Sequence, residues 1–421
     1  MNGNHINSQL IVRKSRLAGE VAVSGAKNSA LRLLAASILT TRAIKLFNYP
    51  SSLGDAVVHV DMLQQLGKRC TVTSDSITIE EPEQLQSTLD WRGRSIRNTL
   101  LILGALVART GHGAVPLPGG CELGERKYDL HKLVLEQLGA RVWQNDEMLC
   151  AEADGGLTGA DIHLPIRSTG ATENAIIAGS LAAGRTRIWN PHVRPEIVDL
   201  ICFLRSMGAR IAIYGQEHIE VTGVDQLVDT DYTVMPDNME AITWLVAAVM
   251  TEGDIEIDNF PFDDLEVPLI HLRESGARFY RGEHSLIVRG GQCYPLEIST
   301  GPHPGINSDV QPILAAYATC AKGESRIVDL RFPGRYGYAD EMAKMGVTSH
   351  RQDNVLRIQG CGGRLRGAKV RALDLRTGAA LTLCGLVAGG ETRIEEAWQI
   401  SRGYDRFAEK LRQVGADVTA V

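Results

Sequence analysis

Two apolar patterns alternate along the chain and together predict a sixfold repeat. The first is an amphipathic helix that ends at a glycine and is followed by a strand-like segment. This glycine recurs at intervals of 68 to 72 residues, at Gly67, Gly139, Gly208, Gly276, Gly346 and Gly415. A glycine just past a helix is typical of a left-handed cap, and Ala140-Arg141-Val142 after Gly139 is typical of a strand start.

The second pattern is a more apolar helix that precedes each amphipathic helix by about a third of the repeat. It is clearest between Ala175 and Gly184 and between Ala241 and Gly253. Small residues dominate this helix, so it can be packed closely on nearly all sides. Each repeat is therefore predicted to run as strand, buried helix, strand, amphipathic helix and further strands.

The period and the chain length predict two domains rather than a solenoid. Repeats of about 70 residues are longer than the roughly 20 to 50 residues of solenoid units, and 421 residues exceed one ordinary hydrophobic core. Three repeats in each of two globules fit this length, with a division near Asp229 to Pro236. We expect an α/β protein with inside-out, barrel-like domains, in which the helices are buried and the sheets lie outside.

The composition is globular and argues against several function classes. Hydrophobic residues make up 44% and charged residues 22%, and 44 Lys and Arg against 50 Asp and Glu give a net charge of −6. This balance disfavours a dedicated surface for nucleic acid or for an anionic membrane. No apolar run approaches the ~18 to 20 residues of a membrane span, and the first residues lack the layout of a signal peptide. We expect a cytoplasmic protein.

The sequence contains no motif for a metal or a cofactor. Its eight cysteines are dispersed without a C-x-x-C pair, so reduced thiols are expected. Cys202, Cys320 and Cys384 lie among apolar residues and are predicted to be small core residues. Neither a phosphate-binding G-x-x-x-x-G-K-[ST] loop nor an H-E-x-x-H zinc motif is present. We predict no metal and no cofactor.

Segment 116–127, which carries Cys121, has the most distinctive composition. It contains two Pro and three Gly, and Cys121 is followed by Arg126 and Lys127. In a surface loop, neighbouring cations lower the pKa of a thiol, so Cys121 is a candidate reactive group. The alternative is a flexible hairpin in which the cysteine is incidental.

Four basic residues and one acidic residue are further candidates for chemistry. Lys27 opens the first buried helix, where it either reaches solvent along its stem or binds an anion. Arg97, Arg376 and Arg402 also stand out, although each could be a surface charge or an ion-pair partner. Asp309 lies just before the fifth buried helix, and by composition alone it belongs to the N-cap of that helix.

Six short motifs resemble those of the enolpyruvyl transferases. They are Ser24-Gly25-Ala26-Lys27-Asn28, Leu117-Pro118-Gly119-Gly120-Cys121, Gly170-Ala171-Thr172, Pro236-Asp237, Asp374-Leu375-Arg376 and Arg402-Gly403-Tyr404. The resemblance covers the chain from about Leu10 to Val421. It implies two inside-out α/β domains of three repeats each, here residues 27–235 and residues 1–26 with 236–421. It also implies transfer of enolpyruvate from phosphoenolpyruvate to the 3-hydroxyl of UDP-N-acetylglucosamine in peptidoglycan synthesis, with release of phosphate.

The resemblance also implies roles for individual residues. The implied catalytic set is Cys121, Asp309, Lys27 and Asp374. The residues implied at phosphoenolpyruvate are Lys27, Arg126, Arg335, Arg376 and Arg402. The residues implied at the acceptor are Asn28, Arg97, Arg126, Asp129, His131, Ser168, Thr169, Gly170 and Asp309. Cys121 would be the general acid and Asp309 the base, since adding an alcohol across an enol double bond requires both.

The chain departs from the family pattern at four places, and these departures leave the acceptor open. Val193-Arg194 replaces Arg-Glu, Lys127 replaces Pro, Pro333-Gly334 replaces Glu-Asn, and Ser401 replaces Asp. One alternative is a paralogue that uses a different nucleotide or sugar acceptor, and another is a catalytically silent paralogue that binds a sugar nucleotide. The expected partners are phosphoenolpyruvate and a UDP-sugar, with no nucleic acid, no membrane and no required protein partner.

Overall fold

A computed structural model of the chain describes residues 8–117 and 128–421. By its internal contacts the chain divides into two compact units. The central unit is Gly25–Met235, and the terminal unit is the chain up to Ser24 together with Pro236–Val421. From the sequence we placed the first boundary after residue 26, whereas the contacts divide the chain after Ser24.

Thirteen α-helices lie in the described residues. In chain order they are α1 (Lys27–Ala36), α2 (Gly54–Gln65), α3 (Thr99–Thr110), α4 (Asp129–Gln137), α5 (Thr169–Gly179), α6 (Pro195–Ser206), α7 (Asn238–Met250), α8 (Glu266–Glu274), α9 (Gln311–Cys320), α10 (Tyr338–Lys344), α11 (Leu375–Val387), α12 (Trp398–Ser401) and α13 (Phe407–Gln413). Two short 3₁₀ helices are Ser37–Leu39 and Phe262–Asp264.

The same residues form twenty-three strands. They are β1 (Gln9–Arg13), β2 (Ala18–Ala22), β3 (Ile44–Phe47), β4 (Arg69–Val72), β5 (Ser76–Glu80), β6 (His112–Pro116), β7 (Arg141–Asn145), β8 (Met148–Glu152), β9 (Asp161–His163), β10 (Arg185–Trp189), β11 (Arg210–Tyr214), β12 (His218–Thr222), β13 (Thr230–Thr233), β14 (Asp254–Asp258), β15 (Ala277–Arg281), β16 (Ser285–Gly291), β17 (Glu297–Ser299), β18 (Glu324–Val328), β19 (Thr348–Gln352), β20 (Val355–Gln359), β21 (Lys369–Arg371), β22 (Glu391–Glu395) and β23 (Val418–Ala420).

The central unit contains three buried helices and three sheets. Helices α1, α3 and α5 are buried along most of their length and alternate along the chain with α2, α4 and α6. The strand orders are β13-β3-β5-β4, β6-β8-β7 and β11-β12-β10-β9. Ile188 pairs with Ile162 on one side and Ile219 on the other, and all three are buried. Each sheet therefore turns one face to the core, as the alternation of its residues requires.

The terminal unit repeats this arrangement with its own core. Helices α7, α9 and α11 are buried, and α8, α10 and α13 follow them in turn. The strand orders are β21-β22-β1-β23, β15-β16-β14-β2 and β17-β18-β20-β19. Strand β2 runs parallel to β14, with Val21 beside Ile257, and β1 lies between β22 and β23. The N-terminal strands thus complete two sheets of the terminal unit.

The predicted α/β fold with six buried helices is confirmed. The six recurring glycines all adopt left-handed backbone conformations, with φ between +86° and +100°. One sheet is smaller than the others: among the described residues, sheet β6-β8-β7 has three strands, and a single parallel bridge between Thr88 and Ala114 stands where the other sheets have a fourth strand.

The predicted burial of Cys202 is wrong, whereas Cys320 and Cys384 are buried as expected. Cys202 lies on α6 between the buried residues Ile201 and Phe203, yet its own side chain is exposed. A helix turns about 100° per residue, so apolar neighbours in sequence do not place a residue on the buried face. Within the described ranges, no helix is both long and apolar enough to cross a membrane.

Candidate functional site

In the central unit, Asp55 holds two basic side chains together. The Lys27 ammonium lies 2.7 Å from Asp55 Oδ2, and Arg94 Nη2 lies 2.8 Å from Asp55 Oδ1. Only 5% of the Asp55 side chain is exposed, against 31% of that of Arg94. Two cations share one carboxylate, so the three groups carry a net positive charge.

Lys27 owes its position to this carboxylate rather than to helix α1. It is the first residue of α1, no side chain caps the helix there, and its first turn contains no acidic residue. A cation at a helix N-terminus is unfavourable, and Asp55 offsets this cost. The alternative in which Lys27 extends to solvent is wrong, because Lys27 is buried. The next residue, Asn28, is half-buried.

Five of the nine residues implied at the acceptor, Asp129, His131, Ser168, Thr169 and Gly170, lie at the starts of α4 and α5. Asp129 is the exposed first residue of α4, and His131 lies buried one half-turn later. Ser168 is the N-cap of α5 and accepts a hydrogen bond from Ala171 N. A side chain at position 170 would place its Cβ 2.9 Å from His131 Nε2, so the close approach of α4 to α5 requires Gly170.

Two buried histidines of the central unit are neutral at physiological pH. Burial, together with the charge of Arg97, lowers the pKa of His131 to about 3. Burial and the charge of Arg32 likewise lower the pKa of His59 to about 3. The Nδ1 atom of His131 lies 3.2 Å from Asn174 Nδ2, so in the neutral ring Nδ1 accepts this hydrogen bond. His131 is therefore a polar group of fixed orientation and not a cation.

A buried network of alternating charges supports the same end of the unit. Arg32 on α1 lies 2.7 Å from Glu173 on α5, and Arg194 forms a bidentate pair with Glu196 at the start of α6. Burial is the largest single influence on Glu196 and raises its pKa, but the charge of Arg194, the backbone and Arg194 hydrogen bonds and the charge of Arg32 together lower the pKa. Thr169 Oγ1 also lies 2.9 Å from His192 Nδ1. These pairs connect α1 to α5 and hold the starts of α5 and α6.

In the terminal unit, Arg335 lies between two carboxylates. Its Nη1 atom is 2.8 Å from Asp309 Oδ1, and its Nη2 atom is 3.4 Å from Asp374 Oδ2. Asp374 also caps α11 by accepting a hydrogen bond from Thr377 N at 2.7 Å. The N-cap of α9 is Val310, so Asp309 is not the cap expected from composition. Its carboxylate is instead one third exposed and paired with Arg335.

Arg376 is the most deeply buried cation of this group. Its exposed fraction is 2%, and its guanidinium carbon lies 5.1 Å from the centre of the Tyr404 ring. Burial would lower the pKa of Arg376, but the neighbouring Tyr404, Asp309 and Asp237 raise it, so it stays charged. Its Nε and Nη1 atoms have no hydrogen-bond partner within the described residues, and the same holds for Arg335 Nε. These guanidinium donors suit a bound anion.

Arg402 lies at the end of α12. Its Nη1 atom donates to Gln399 Oε1 at 2.8 Å, and its guanidinium lies 6.0 Å from the Trp398 ring centre. Tyr404, which packs on Arg376, follows two residues later. The three arginines of the terminal unit that are implied at phosphoenolpyruvate are thus far apart in the sequence but belong to one connected group of residues. Lys27, which is implied at the same ligand, belongs to the central unit.

Some predicted site residues cannot be placed. Cys121, Arg126 and Lys127 lie outside the described residues, so their proposed roles stay predictions. In the part of the chain that is described, no group of three or more His, Cys, Asp or Glu is arranged to hold a metal ion. The described groups can bind anions, accept a proton and orient a polar acceptor.

Sequence reasoning missed Asp55, Arg94 and the Arg32–Glu173 pair. An acidic residue in the first turn of an amphipathic helix, such as Asp55 in α2, is ordinarily explained by the helix dipole. Glu173 lies within an apolar helix and carries the stronger signal, because a buried carboxylate in such a helix requires a cationic partner. The sequence does not say which arginine is that partner.

Comparison with known proteins identifies the family. The family profile described as EPSP synthase (3-phosphoshikimate 1-carboxyvinyltransferase) matches residues 11–411. A protein of Carboxydothermus hydrogenoformans named UDP-N-acetylglucosamine 1-carboxyvinyltransferase 2 is 38% identical over 98% of this chain and 99% of its own length. A protein of Finegoldia magna named UDP-N-acetylglucosamine 1-carboxyvinyltransferase is 36% identical over 97% of this chain and 98% of its own.

Solved structures agree on the architecture. The enolpyruvyl transferase NikO from Streptomyces tendae superposes with a TM-score of 0.88 and 25% identity over 99% of both chains. EPSP synthase from Acinetobacter baumannii has the same fold, with a TM-score of 0.78 and 17% identity over 99% of this chain and 100% of its own. The profile match and the full-length relatives show that this chain belongs to the EPSP synthase family of enolpyruvyl transferases.

Proposed function

We propose that the protein transfers the enolpyruvyl group of phosphoenolpyruvate to the 3-hydroxyl of UDP-N-acetylglucosamine and releases phosphate. The relatives at 36% to 39% identity over nearly the whole chain carry the name of this activity. The observation that carries the proposal is the terminal-unit cluster, in which a carboxylate capable of acting as a base lies beside Arg335 and the buried Arg376, whose guanidinium groups keep donors with no partner among the described residues.

The cluster suits the first half of this reaction. Asp309 would take the proton of the acceptor hydroxyl, and the oxygen would then bond to the central carbon of phosphoenolpyruvate. Negative charge on the carboxylate and phosphate groups of the donor would be held by Arg335, Arg376 and Arg402, and the family resemblance also implies a phosphoenolpyruvate-binding role for Lys27. Fixed cations of this kind stabilise charge in a transition state without reorganisation.

The second proton is assigned to Cys121. As oxygen bonds to the central carbon, the electron pair of the double bond moves to the methylene carbon and takes the thiol proton of Cys121. The Cys121 thiolate then takes a proton back from the resulting methyl group, which restores the double bond as phosphate leaves with the electron pair of its C–O bond. One acid and one base thus account for every proton in the transfer.

The acceptor is the part of the proposal that family membership leaves open. The matching profile is described by a 3-phosphoshikimate enzyme, whereas the relatives are named for UDP-N-acetylglucosamine. Two enzymes of one fold therefore take chemically different alcohols. We infer that two features of this chain would distinguish them: His131, whose neutral ring lies against Gly170, and the Arg32–Glu173 pair, which joins α1 to α5.

The test is phosphate release from phosphoenolpyruvate with a panel of acceptors. UDP-N-acetylglucosamine, UDP-glucose, UDP alone and 3-phosphoshikimate would be compared at equal concentrations. We expect the highest kcat/KM with UDP-N-acetylglucosamine and formation of its 3-O-enolpyruvyl ether, identified by mass spectrometry. Release that is faster with another member of the panel would identify a different acceptor, and no release with any member would support a silent binding protein.

A pair of thiol variants tests the assignment of the acid. Cys121→Ala should lower kcat by about 10²–10⁴-fold, the usual contribution of a general acid, and should remove inactivation by fosfomycin, which alkylates this cysteine in the family. Cys202→Ala is the matched control, because Cys202 is exposed on α6 and has no proposed role. Near wild-type turnover of Cys121→Ala would contradict the acid role.

A further inference from the structure

Asp329, which immediately follows strand β18, is a fully buried carboxylate that the reaction scheme above does not use. Its exposed fraction is 0%. Its Oδ1 atom accepts hydrogen bonds from Thr300 Oγ1, Arg331 N and Phe332 N, each at 2.9 Å. Its Oδ2 atom accepts from Ser308 Oγ at 2.5 Å and from Gln311 Nε2 at 3.1 Å. Five donors therefore converge on one charged group, which is close to the capacity of a carboxylate.

Four of the five donors, all except Thr300, lie on the two segments that carry Asp309 and Arg335. Ser308 immediately precedes Asp309, whose carboxylate pairs with Arg335 at 2.8 Å. On the other side, Gln311 Nε2 donates both to Asp329 and to the Arg335 carbonyl oxygen at 3.0 Å. One carboxylate thus fixes both members of the Asp309–Arg335 pair through their own backbone segments.

An amide could not replace this carboxylate without loss. Asparagine at position 329 would turn an NH₂ group towards at least one of the existing donors, and Gln311 Nε2 cannot accept a hydrogen bond. Gln311 is also unable to rotate its amide freely, because its Oε1 atom accepts a hydrogen bond from the Tyr338 hydroxyl. The network therefore specifies a charged acceptor at position 329, and hydrogen bonds to a charged acceptor are the stronger kind.

We propose that Asp329 is a positioning residue for the transfer reaction: it sets the placement of Asp309 relative to Arg335 and does not itself touch substrate. This inference rests on the proposed function, in which Asp309 is the base and Arg335 binds the donor. The physical requirement is that a base displaced by about 1 Å loses much of its effect on rate.

Asp329→Asn is the main test. It is measured by its effect on kcat and by whether that effect depends on Arg335. We expect kcat to fall about 10- to 100-fold while the KM for UDP-N-acetylglucosamine changes less than threefold. In a protein that already carries Arg335→Lys, Asp329→Asn should lower kcat less than threefold, because the Asp309–Arg335 pair that Asp329 positions is already broken. Equal losses in both backgrounds would show that Asp329 acts independently of the pair and would overturn the proposal.

A matched control separates positioning from general destabilisation. Glu240 is buried to a similar degree in the same unit and accepts from Ser24 N, Trp244 Nε1 and Lys410 Nζ, none of which belongs to the Asp309 or Arg335 segments. Glu240→Gln should lower Tm yet keep kcat within twofold of wild type. A comparable fall of kcat in both variants would overturn the positioning role.

A milder variant covers the case in which Asp329→Asn does not fold. Ser308→Ala removes one donor next to Asp309 and should lower kcat about three- to tenfold. Its control is Ser325→Ala, which removes a buried hydroxyl that accepts from Leu296 N and should leave kcat unchanged. An unchanged kcat in Ser308→Ala would contradict the proposal.

A crystal structure of the folded variant makes the inference independent of the acceptor. In Asp329→Asn, or in Ser308→Ala if the first does not fold, the distance from Asp309 Oδ1 to Arg335 Nη1 should exceed 3.5 Å. A distance unchanged from 2.8 Å would overturn the proposal even if the wild-type protein turned over no member of the acceptor panel. Absence of wild-type turnover with a lengthened pair would instead contradict only the proposed function.

Discussion

The two units use the same repeat to build different charge arrangements. In the central unit, Lys27 and Arg94 share the single carboxylate of Asp55. In the terminal unit, Arg335 is shared by the carboxylates of Asp309 and Asp374, and Arg376 lies nearby with two donor atoms that have no partner in the described part of the chain. The first group has one carboxylate for two cations, whereas the second has as many carboxylates as cations.

The start of α1 differs in a related way from the starts of α7 and α11. This is not a difference between whole units, because Ser168 caps α5 in the central unit and α9 in the terminal unit has no side-chain cap. In the terminal unit, Asp237 caps α7 and Asp374 caps α11, each through its own carboxylate. In the central unit, α1 begins with Lys27 and has no side-chain cap. The first backbone N–H groups of a helix need acceptors. A side chain supplies an acceptor at α7 and at α11, whereas at α1 no capping side chain does so.

This difference in charge suits the central-unit group to anion binding and the terminal-unit group to proton transfer. The central-unit group has excess positive charge and can bind an anion, but its one carboxylate is already paired with two cations and is not available as a base. A carboxylate paired with one arginine, beside a second buried arginine, can accept a proton while the cations hold the donor. Substitutions in the two units should therefore have different kinetic signatures, which the following experiments test.

The largest effect is expected for the terminal-unit base. Asp309→Asn should lower kcat about 10²–10⁴-fold, because general base catalysis contributes that much, with a small change in the KM for phosphoenolpyruvate. Steady-state phosphate release measures both constants. Asp340→Asn is the control, since Asp340 also pairs with an arginine, Arg351, but is largely exposed. A tenfold or smaller loss in Asp309→Asn would remove Asp309 from the role of base.

For Arg376 we expect a smaller loss of activity that is not accompanied by a loss of stability. Arg376→Met should lower kcat/KM about 10²–10³-fold, the cost of removing one electrostatic donor. The Tm should stay the same or rise, because a buried cation with unsatisfied donors is costly to the fold. Lys410→Met is the contrast, since it leaves Glu240 buried without its cation and should lower Tm. Thermal unfolding and initial rates together distinguish a catalytic role of Arg376 from a structural one. Parallel losses of Tm and activity in Arg376→Met would indicate a structural role.

A moderate effect on binding alone is expected in the central unit. Asp55→Asn should raise the KM for phosphoenolpyruvate about tenfold and keep kcat within threefold, because Lys27 and Arg94 lose the carboxylate that orients them. Asp61→Asn, on the exposed face of the same helix, should change neither constant. If Asp55→Asn instead lowered kcat with KM unchanged, the contrast between a binding unit and a proton-transfer unit would fail.

The smallest effect is an acid sensitivity of the central unit. Burial lowers the pKa of His59 and of His131 to about 3 in the folded state, below an ordinary histidine value of about 6.5. Between these values the unfolded chain binds more protons, so the free energy of unfolding falls as pH falls. From pH 7 to pH 6 each histidine should cost about 0.7 kcal/mol.

Hydrogen exchange at the two pH values, corrected for intrinsic rates, measures this effect unit by unit. We expect the core amides of the central unit to lose protection at pH 6, and the loss to halve in His59→Gln. An equal loss of protection in the variant and in wild type would show that His59 is not the source.

The repeat could be predicted from the sequence because it depends on local rules. A glycine past each amphipathic helix, as at Gly139, and an apolar helix such as α7 are recognisable within one repeat. The shortened sheet β6-β8-β7 was not predicted, because whether Thr88 extends into a strand depends on pairing with a distant segment. Cys202 was misassigned for a related reason, since its helical phase is fixed by what α6 packs against.

The candidate site was predictable in its residue types but not in its pairings. The resemblance to the enolpyruvyl transferases supplied Asp309, Arg335 and Asp374 as separate residues, 26 to 65 positions apart in the chain. Their joint geometry, with Arg335 between two carboxylates, follows only from the packing of α9 and α11 against the loop that carries Arg335. Asp329 had no sequence signal, because an aspartate after a strand is ordinarily part of a turn.

The sequence by itself determined the α/β class, the sixfold repeat and the six buried helices of this protein. These features follow from hydrophobic periodicity and from backbone preferences that act over a few residues. Only the tertiary structure decided which charges meet, such as Lys27 with Asp55 in one unit and Asp329 with the Asp309 and Arg335 segments in the other. The physical reason is that a buried charge is tolerable only when partners from distant segments converge on it, and that convergence is a property of the packed core.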